Sequence, residues 1–165
     1  MHINVYAHIC ALAFHLTLAT MSRPRCSCSP LRRLTRRMTV IYDHHLQADG
    51  LTITQYSLIS RIGREAPVAN LMLAADMGMD RSTLSRALKP LIGAGWIETV
   101  DLPEDAPGDR RSFALQLSAA GRAKLDAARP NWRHAQDEID RQLGPGLARE
   151  LDDVINRAYS LLQEV

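Results

Sequence analysis

Apolar residues recur along this chain at two periods, and the change from one to the other divides it into elements. From Pro30 to about residue 47, Leu31, Leu34, Met38, Ile41 and His45 fall at spacings of three and four. That is one stripe of an amphipathic helix, with Arg32, Arg33, Arg36 and Arg37 on its flanks. Asp49-Gly50 breaks it. Thr52 or Thr54 then offers a cap for a second helix over about 54–64, in which Tyr56, Leu58, Ile59 and Ile62 are apolar. A link through Pro67 leads to a short helix near 69–76, and Gly78 turns the chain into "DRSTLSRALKPLIGAG". Leu84, Leu88, Leu91 and Ile92 supply the buried face of this next helix. Asp80 has the chemistry of its N-cap, its carboxylate accepting from the backbone N–H of Ser82 or Thr83. Gly95 is expected to end it in the left-handed conformation that side chains resist. Pro90, which lacks a backbone donor, is expected to bend it.

After Gly95 the period shortens to two. Trp96, Ile97 and Val100 suit one strand, and Phe113, Leu115 and Leu117 alternate with polar residues in a second. The Pro/Gly/Asp loop 101–111 between them makes a hairpin with a long tip. The helical period then returns. Leu125, Ala128, Trp132, Ala135, Ile139 and Leu143 align over about 118–142, with a kink expected at Pro130. Beyond Gly144-Pro145-Gly146, a last helix carries Leu147, Leu151, Val154, Ile155, Ala158, Leu161 and Leu162 as a broad stripe. No internal repeat or low-complexity tract interrupts this order.

The polar side of the helix after Gly78 is the informative one. Arg81, Ser82, Thr83, Ser85, Arg86 and Lys89 lie there, with Asp80 the one acid beside them. Helix, glycine turn, polar-faced helix and hairpin in that order describe a winged helix-turn-helix. A helix fits the major groove of B-DNA, where hydroxyls and guanidiniums reach base edges and phosphates. The hairpin tip offers Arg110 and Arg111 to a neighbouring groove.

Composition narrows the alternatives. With 46% hydrophobic and 23% charged residues, the chain has enough apolar material for a core. Aromatics, at 5%, are too few to furnish a stacking platform for single strands. The net charge of +2 selects no partner, but its distribution is uneven: six arginines and no acid lie between Arg23 and Arg37. Three cysteines (Cys10, Cys26 and Cys28) cannot form a disulfide framework, and their number fits a reducing cytoplasm. Cys26 and Cys28 are candidate redox thiols; no CxxC pair supports a metal site. Residues 1–21 are uncharged. They lack the leading Lys or Arg of a signal peptide, and His2, His8, His15 and Asn4 weaken a membrane span. They are expected to be an extra apolar helix or to lie upstream of a start at Met21, with no membrane role. No cofactor fingerprint, Ser/His/Asp grouping or carboxylate pair points to catalysis, so the chain is not expected to be an enzyme or to need a cofactor.

The stretches "GLTITQYSLI", "LAADMGMDRSTLSRALKPLIGAGWIE" and "DRRSFALQLSAAGRAKL" resemble the MarR family of winged-helix transcription regulators, over about residues 30–164. The resemblance implies a mainly α fold with a small β-hairpin wing, its winged helix-turn-helix core (51–117) flanked by dimerisation helices (30–50 and 118–165). Residues 1–29 are then an N-terminal extension, apolar at first and then basic. It implies a homodimer on a near-palindromic double-stranded operator, most often as a repressor, and responsive to a small molecule or an oxidant. The recognition helix would enter the major groove. The wing's Asp-x-Arg pattern is matched by Asp109-Arg110-Arg111, with Arg111 in the minor groove and Asp109 supporting it. Against that, the loop 101–111 holds four acids to two arginines. Tyr42, His45, Tyr56 and Trp132 are candidates for the lining of an effector cavity, with plain core packing as the other reading. A winged module that binds protein instead of DNA, and a thiol redox protein using Cys26 and Cys28, are the alternatives.

Overall fold

The computed structural model describes residues 26–102 and 113–162. By contacts the chain divides into two units, Met1–Arg36 and Arg37–Val165. The first described helix, α1 (Cys28–Leu46), crosses that boundary. In the first unit, the described residues from Cys26 to Arg36 are exposed except for half-buried Leu34.

The second unit continues from α1 through a 3₁₀ turn (Gln47–Asp49) to α2 (Ile53–Glu65). Gly50 makes the reversal between them with φ +63°. Thr52 caps α2 through a full capping box: its hydroxyl accepts from Gln55 N while Gln55 Oε1 accepts from Thr52 N. Asp43 Oδ1 takes a further free amide of this helix end, Ile53 N, at 2.6 Å.

A two-residue strand β1 (Val68–Ala69) leads into α3 (Asn70–Asp76) and α4 (Arg81–Gly93). The hairpin strands are β2 (Ile97–Val100) and β3 (Ala114–Leu117). All three strands form one antiparallel sheet in the order β1-β3-β2, with Val68 opposite Leu115 and Ile97 opposite Leu117. The hairpin of the sequence reading is therefore a three-stranded sheet. Two residues are too short to display an alternation, so β1 leaves no periodic signature.

Two long helices follow, α5 (Ala119–Leu143) and α6 (Pro145–Leu162). α4 and α5 run uninterrupted through Pro90 and Pro130. Leu58, Ile59 and Ile62 of α2, Leu88 and Leu91 of α4, and Leu115 of β3 meet in one core. Leu125 and Ala128 of α5 close it. α5 is anchored at its start: Ser118 N donates to Trp96 O, and Ser118 Oγ donates to Gly95 O and accepts from Gly121 N. α6 is different, because none of its residues is buried.

Candidate nucleic-acid interface

α3, its turn and α4 form the helix-turn-helix. Gly78 takes φ +60° in the turn, where a side chain is strained. Asp80 caps α4 as the sequence suggests, its carboxylate accepting from Thr83 N at 2.8 Å. Gly95 then leaves α4 at φ +70°. Leu84, Leu88 and Leu91 point into the core, which fixes the rotation of α4 about its axis. The residues between them are forced outward, so Arg81, Ser82, Ser85, Arg86 and Lys89 are all exposed. Thr83 is half-buried, and its hydroxyl donates to Asp80 Oδ2 and accepts from Arg86 Nη2. Five of the six polar residues read from the sequence thus share an open face, and the sixth supports it. Asp109, Arg110 and Arg111 lie outside the described residues.

A cleft of about 630 Å³ opens between α2, the end of α3 and α5. Tyr56 and Trp132 stack at its wall, with ring centroids 5.6 Å apart and planes 12° from parallel. Arg61, Arg64, Arg122, Arg129 and Arg133 line it, against Asp76 and Asp126. Burial pushes the Tyr56 phenol up in pKa, and the charges of Arg129, Arg133 and Arg64 pull it partly back. Arginines outnumber carboxylates in the cleft's lining. Arg61 bridges to Asp76 and so links α2 to the last residue of α3. Neither partner stands out in the sequence, because both read as ordinary polar positions on their helices.

The expected cavity quartet is divided by the fold. Tyr56 and Trp132 line the cleft, but Tyr42 and His45 do not. The Tyr42 hydroxyl donates to Gln136 Oε1, and His45 Nε2 lies 2.7 Å from Glu138 Oε2. Both side chains are committed to polar bridges between α1 and α5. The hydrogen bond from His45 holds the Glu138 carboxyl below the usual carboxylate range. Cys26 and Cys28 are exposed free thiols at the start of α1. Among the described residues, no helix is long and apolar enough to cross a membrane. None of the His, Cys, Asp and Glu side chains among them form a group able to hold a metal ion.

Residues 51–113 match the model of the MarR family. No curated protein sequence matches the chain. Among solved structures, the M. tuberculosis transcriptional regulator MosR in complex with DNA is 32% identical, with a TM-score of 0.66. The match covers 83% of this chain and 98% of that one. The chain belongs to the MarR family. A probable transcriptional regulator from Pseudomonas aeruginosa is 26% identical (TM-score 0.69), covering 78% of this chain and 92% of that one. MarR itself, at 22% identity, shares the fold with a TM-score of 0.68, over 87% of this chain and 95% of that one. The helix-turn-helix and three-stranded sheet are therefore those of a MarR-family winged-helix transcriptional regulator.

Proposed function

We propose that this MarR-family protein is a homodimeric repressor that binds a near-palindromic operator in double-stranded DNA. The observation that carries the reading is the outward face of α4, where Arg81, Ser82, Ser85, Arg86 and Lys89 are exposed while Leu84, Leu88 and Leu91 are buried behind them. The MosR relative, solved with DNA, supports it. In this reading α4 enters the major groove, Thr83 supports the contact, and Arg110 and Arg111 of the wing, steadied by Asp109, reach the adjacent groove. The winged module (51–117) reads, and the helices at 30–50 and 118–165 pair the two chains.

A gel shift with the duplex flanking its own gene, repeated across salt concentrations, tests the assignment. Retardation that weakens steeply with salt is expected, as phosphate-bound counterions are released. A partner protein captured with no shift on any duplex would favour the interaction-module alternative. Arg86→Ala is expected to cost roughly 1–3 kcal/mol of specific binding if the guanidinium reads a base. Unchanged affinity and salt slope would remove Arg86 from the interface.

The cleft beside Tyr56 and Trp132 supports an effector site for a small planar anion, since five arginines face two aspartates there. An anion drawn to Arg61 would compete with Asp76 for it, loosening the link between α2 and α3. Population then shifts toward head spacings that do not fit the operator. Benzoate is expected to quench Trp132 fluorescence and weaken the gel shift, while neutral benzamide does neither. Equal responses to the two would remove the charge argument. The exposure of Cys26 and Cys28 supports an oxidant as the second kind of signal. Peroxide should then weaken the wild-type shift and spare a Cys26→Ser/Cys28→Ser variant.

A further inference from the structure

A hydroxyl group has one proton to donate and two lone pairs with which to accept. At the start of α4, two hydroxyl protons are already committed. Ser82 Oγ donates to Asp80 Oδ1 at 2.7 Å, and Thr83 Oγ1 donates to Asp80 Oδ2 at 2.8 Å. These bonds and the one from Thr83 N, with the Ser82 hydroxyl contributing most, hold the Asp80 carboxyl well below the usual carboxylate range. It is an anion at any working pH, and an ionised carboxylate only accepts. Neither hydroxyl facing it can reverse its direction. On the other side, Arg86 Nη2 donates to Thr83 Oγ1 at 3.2 Å and occupies one of its lone pairs. The outward face of the first two turns is thereby polarised: lone pairs at Ser82, N–H donors at Arg86.

We propose that Asp80, by holding the Ser82 proton, makes Ser82 an acceptor-only reader that selects a base amino group, adenine N6 or cytosine N4, at its position in the operator. The inference rests on the DNA-reading assignment above and adds a direction to it. In the major groove, adenine and cytosine present amino donors, whereas thymine O4 and guanine O6 and N7 only accept. A free serine serves either kind of base and also donates to phosphate oxygens. Ser82 does neither of the latter while Asp80 holds its proton. Asp80 touches no base and acts as a positioning residue. The donor groups of Arg86 complement guanine O6 and N7 on the neighbouring step.

The test is selection from a randomised duplex library with the full chain, comparing wild type, Ser82→Ala and Asp80→Gly. Ser82 Oγ and the capping Thr83 N share Asp80 Oδ1, so an Asn in the capping rotamer would still hold the Ser82 proton. Gly is tolerated at an N-cap nearly as well as Asp, and Asp80→Gly keeps α4 while removing every side-chain acceptor for the two hydroxyl protons. The operator position whose preference disappears in Ser82→Ala is the one Ser82 reads. Wild type is expected to prefer A or C there, and Asp80→Gly to lose about three- to tenfold of that discrimination, the range of one neutral hydrogen bond. A second measurement leaves residue 80 untouched. Replacing that adenine by purine, or that cytosine by pyrimidin-2-one, deletes the amino group. Wild-type affinity should fall about three- to tenfold, and that of Ser82→Ala should not change. A wild-type preference for T or G at that position overturns the proposal, as does an identical preference in Asp80→Gly. So does indifference of wild type to the missing amino group. All three leave DNA reading itself intact. If wild type enriches no sequence at all, the DNA-reading assignment falls and takes this inference with it.

Discussion

Gly121→Ala is expected to destabilise the protein by about 3 kcal/mol or more, lowering the melting temperature by roughly 6–12 °C for a chain of this size. The sign is opposite to the usual one. Replacing a glycine by alanine inside a helix ordinarily gains up to about 1 kcal/mol, because alanine loses less backbone entropy on folding. Gly121, in the first turn of α5, has no room for the extra carbon. A Cβ there would lie 1.9 Å from Trp96 O, 2.8 Å from Trp96 C and 3.1 Å from Trp96 Cα. These are backbone atoms and cannot rotate aside. Trp96 O also accepts from Ser118 N, and Ser118 Oγ is bonded to both Gly95 O and Gly121 N. Relieving the clash means lifting the start of α5 off the turn that feeds β2. Lys124, one turn further along, lies over the Trp96 ring at 5.0 Å and also donates to Asp49 O, so the displacement would spread to the 3₁₀ turn. Gly93→Ala is the control. A Cβ at Gly93, in the last turn of α4, meets nothing within 4 Å, and that variant should be neutral or slightly stabilised. Thermal melts of the two variants decide the matter: equal melting temperatures would mean that α5 settles on Trp96 more loosely than the contact implies.

Gly121 also illustrates what a sequence withholds. In "SAAGRAKL" it is one small residue among three alanines, and nothing local tells it from them. Its role depends on a carbonyl 25 positions earlier in the chain. Apart from β1, the elements themselves were legible because each rests on local chemistry. Asp80 reads as a cap because a carboxylate beside free amides is a cap in any context, and Gly95 as a terminus because φ +70° excludes side chains. The polar face of α4 was legible for the same reason: Leu84, Leu88 and Leu91 leave one side for everything else. The cleft was legible only in part. Tyr56 and Trp132 share it, but Tyr42 and His45 look equally suitable until Gln136 and Glu138 are seen to hold them. Partners more than 90 positions apart leave no spacing to read. The same limit hid Arg61 and Asp76, whose pairing spans a strand and most of a helix.

Ile155→Asp is expected to abolish dimerisation and to weaken binding to the full operator by about 10²–10⁴-fold, the factor by which linking two heads exceeds one. The reasoning begins with an imbalance in α6. Its apolar residues recur at helical spacing, yet Leu147, Val154, Ile155, Tyr159, Leu161 and Leu162 are all exposed, Leu162 by 74%. Contiguous apolar surface of this kind marks an interaction site on a soluble protein. In the same unit, Val40 of α1 is exposed as well. In the proposed homodimer, a second copy offering the same helices would cover these surfaces on both chains at once, because a two-fold interface uses one patch twice. It would also supply the two reading heads that the proposed near-palindrome needs, about 34–36 Å apart or a multiple of that. A carboxylate at position 155 would have to lose its water in such an interface without a partner, which costs several kcal/mol. The protomer itself should be unaffected, since Ile155 is exposed and α6 contributes no buried residue. Sedimentation equilibrium should therefore find Ile155→Asp monomeric with an unchanged circular dichroism spectrum. Fluorescence anisotropy should find its affinity for an isolated half-site close to that of a single wild-type head. A variant that remains dimeric would move the pairing surface elsewhere. One that becomes monomeric yet binds the whole operator as tightly as wild type would show that the two heads do not act together.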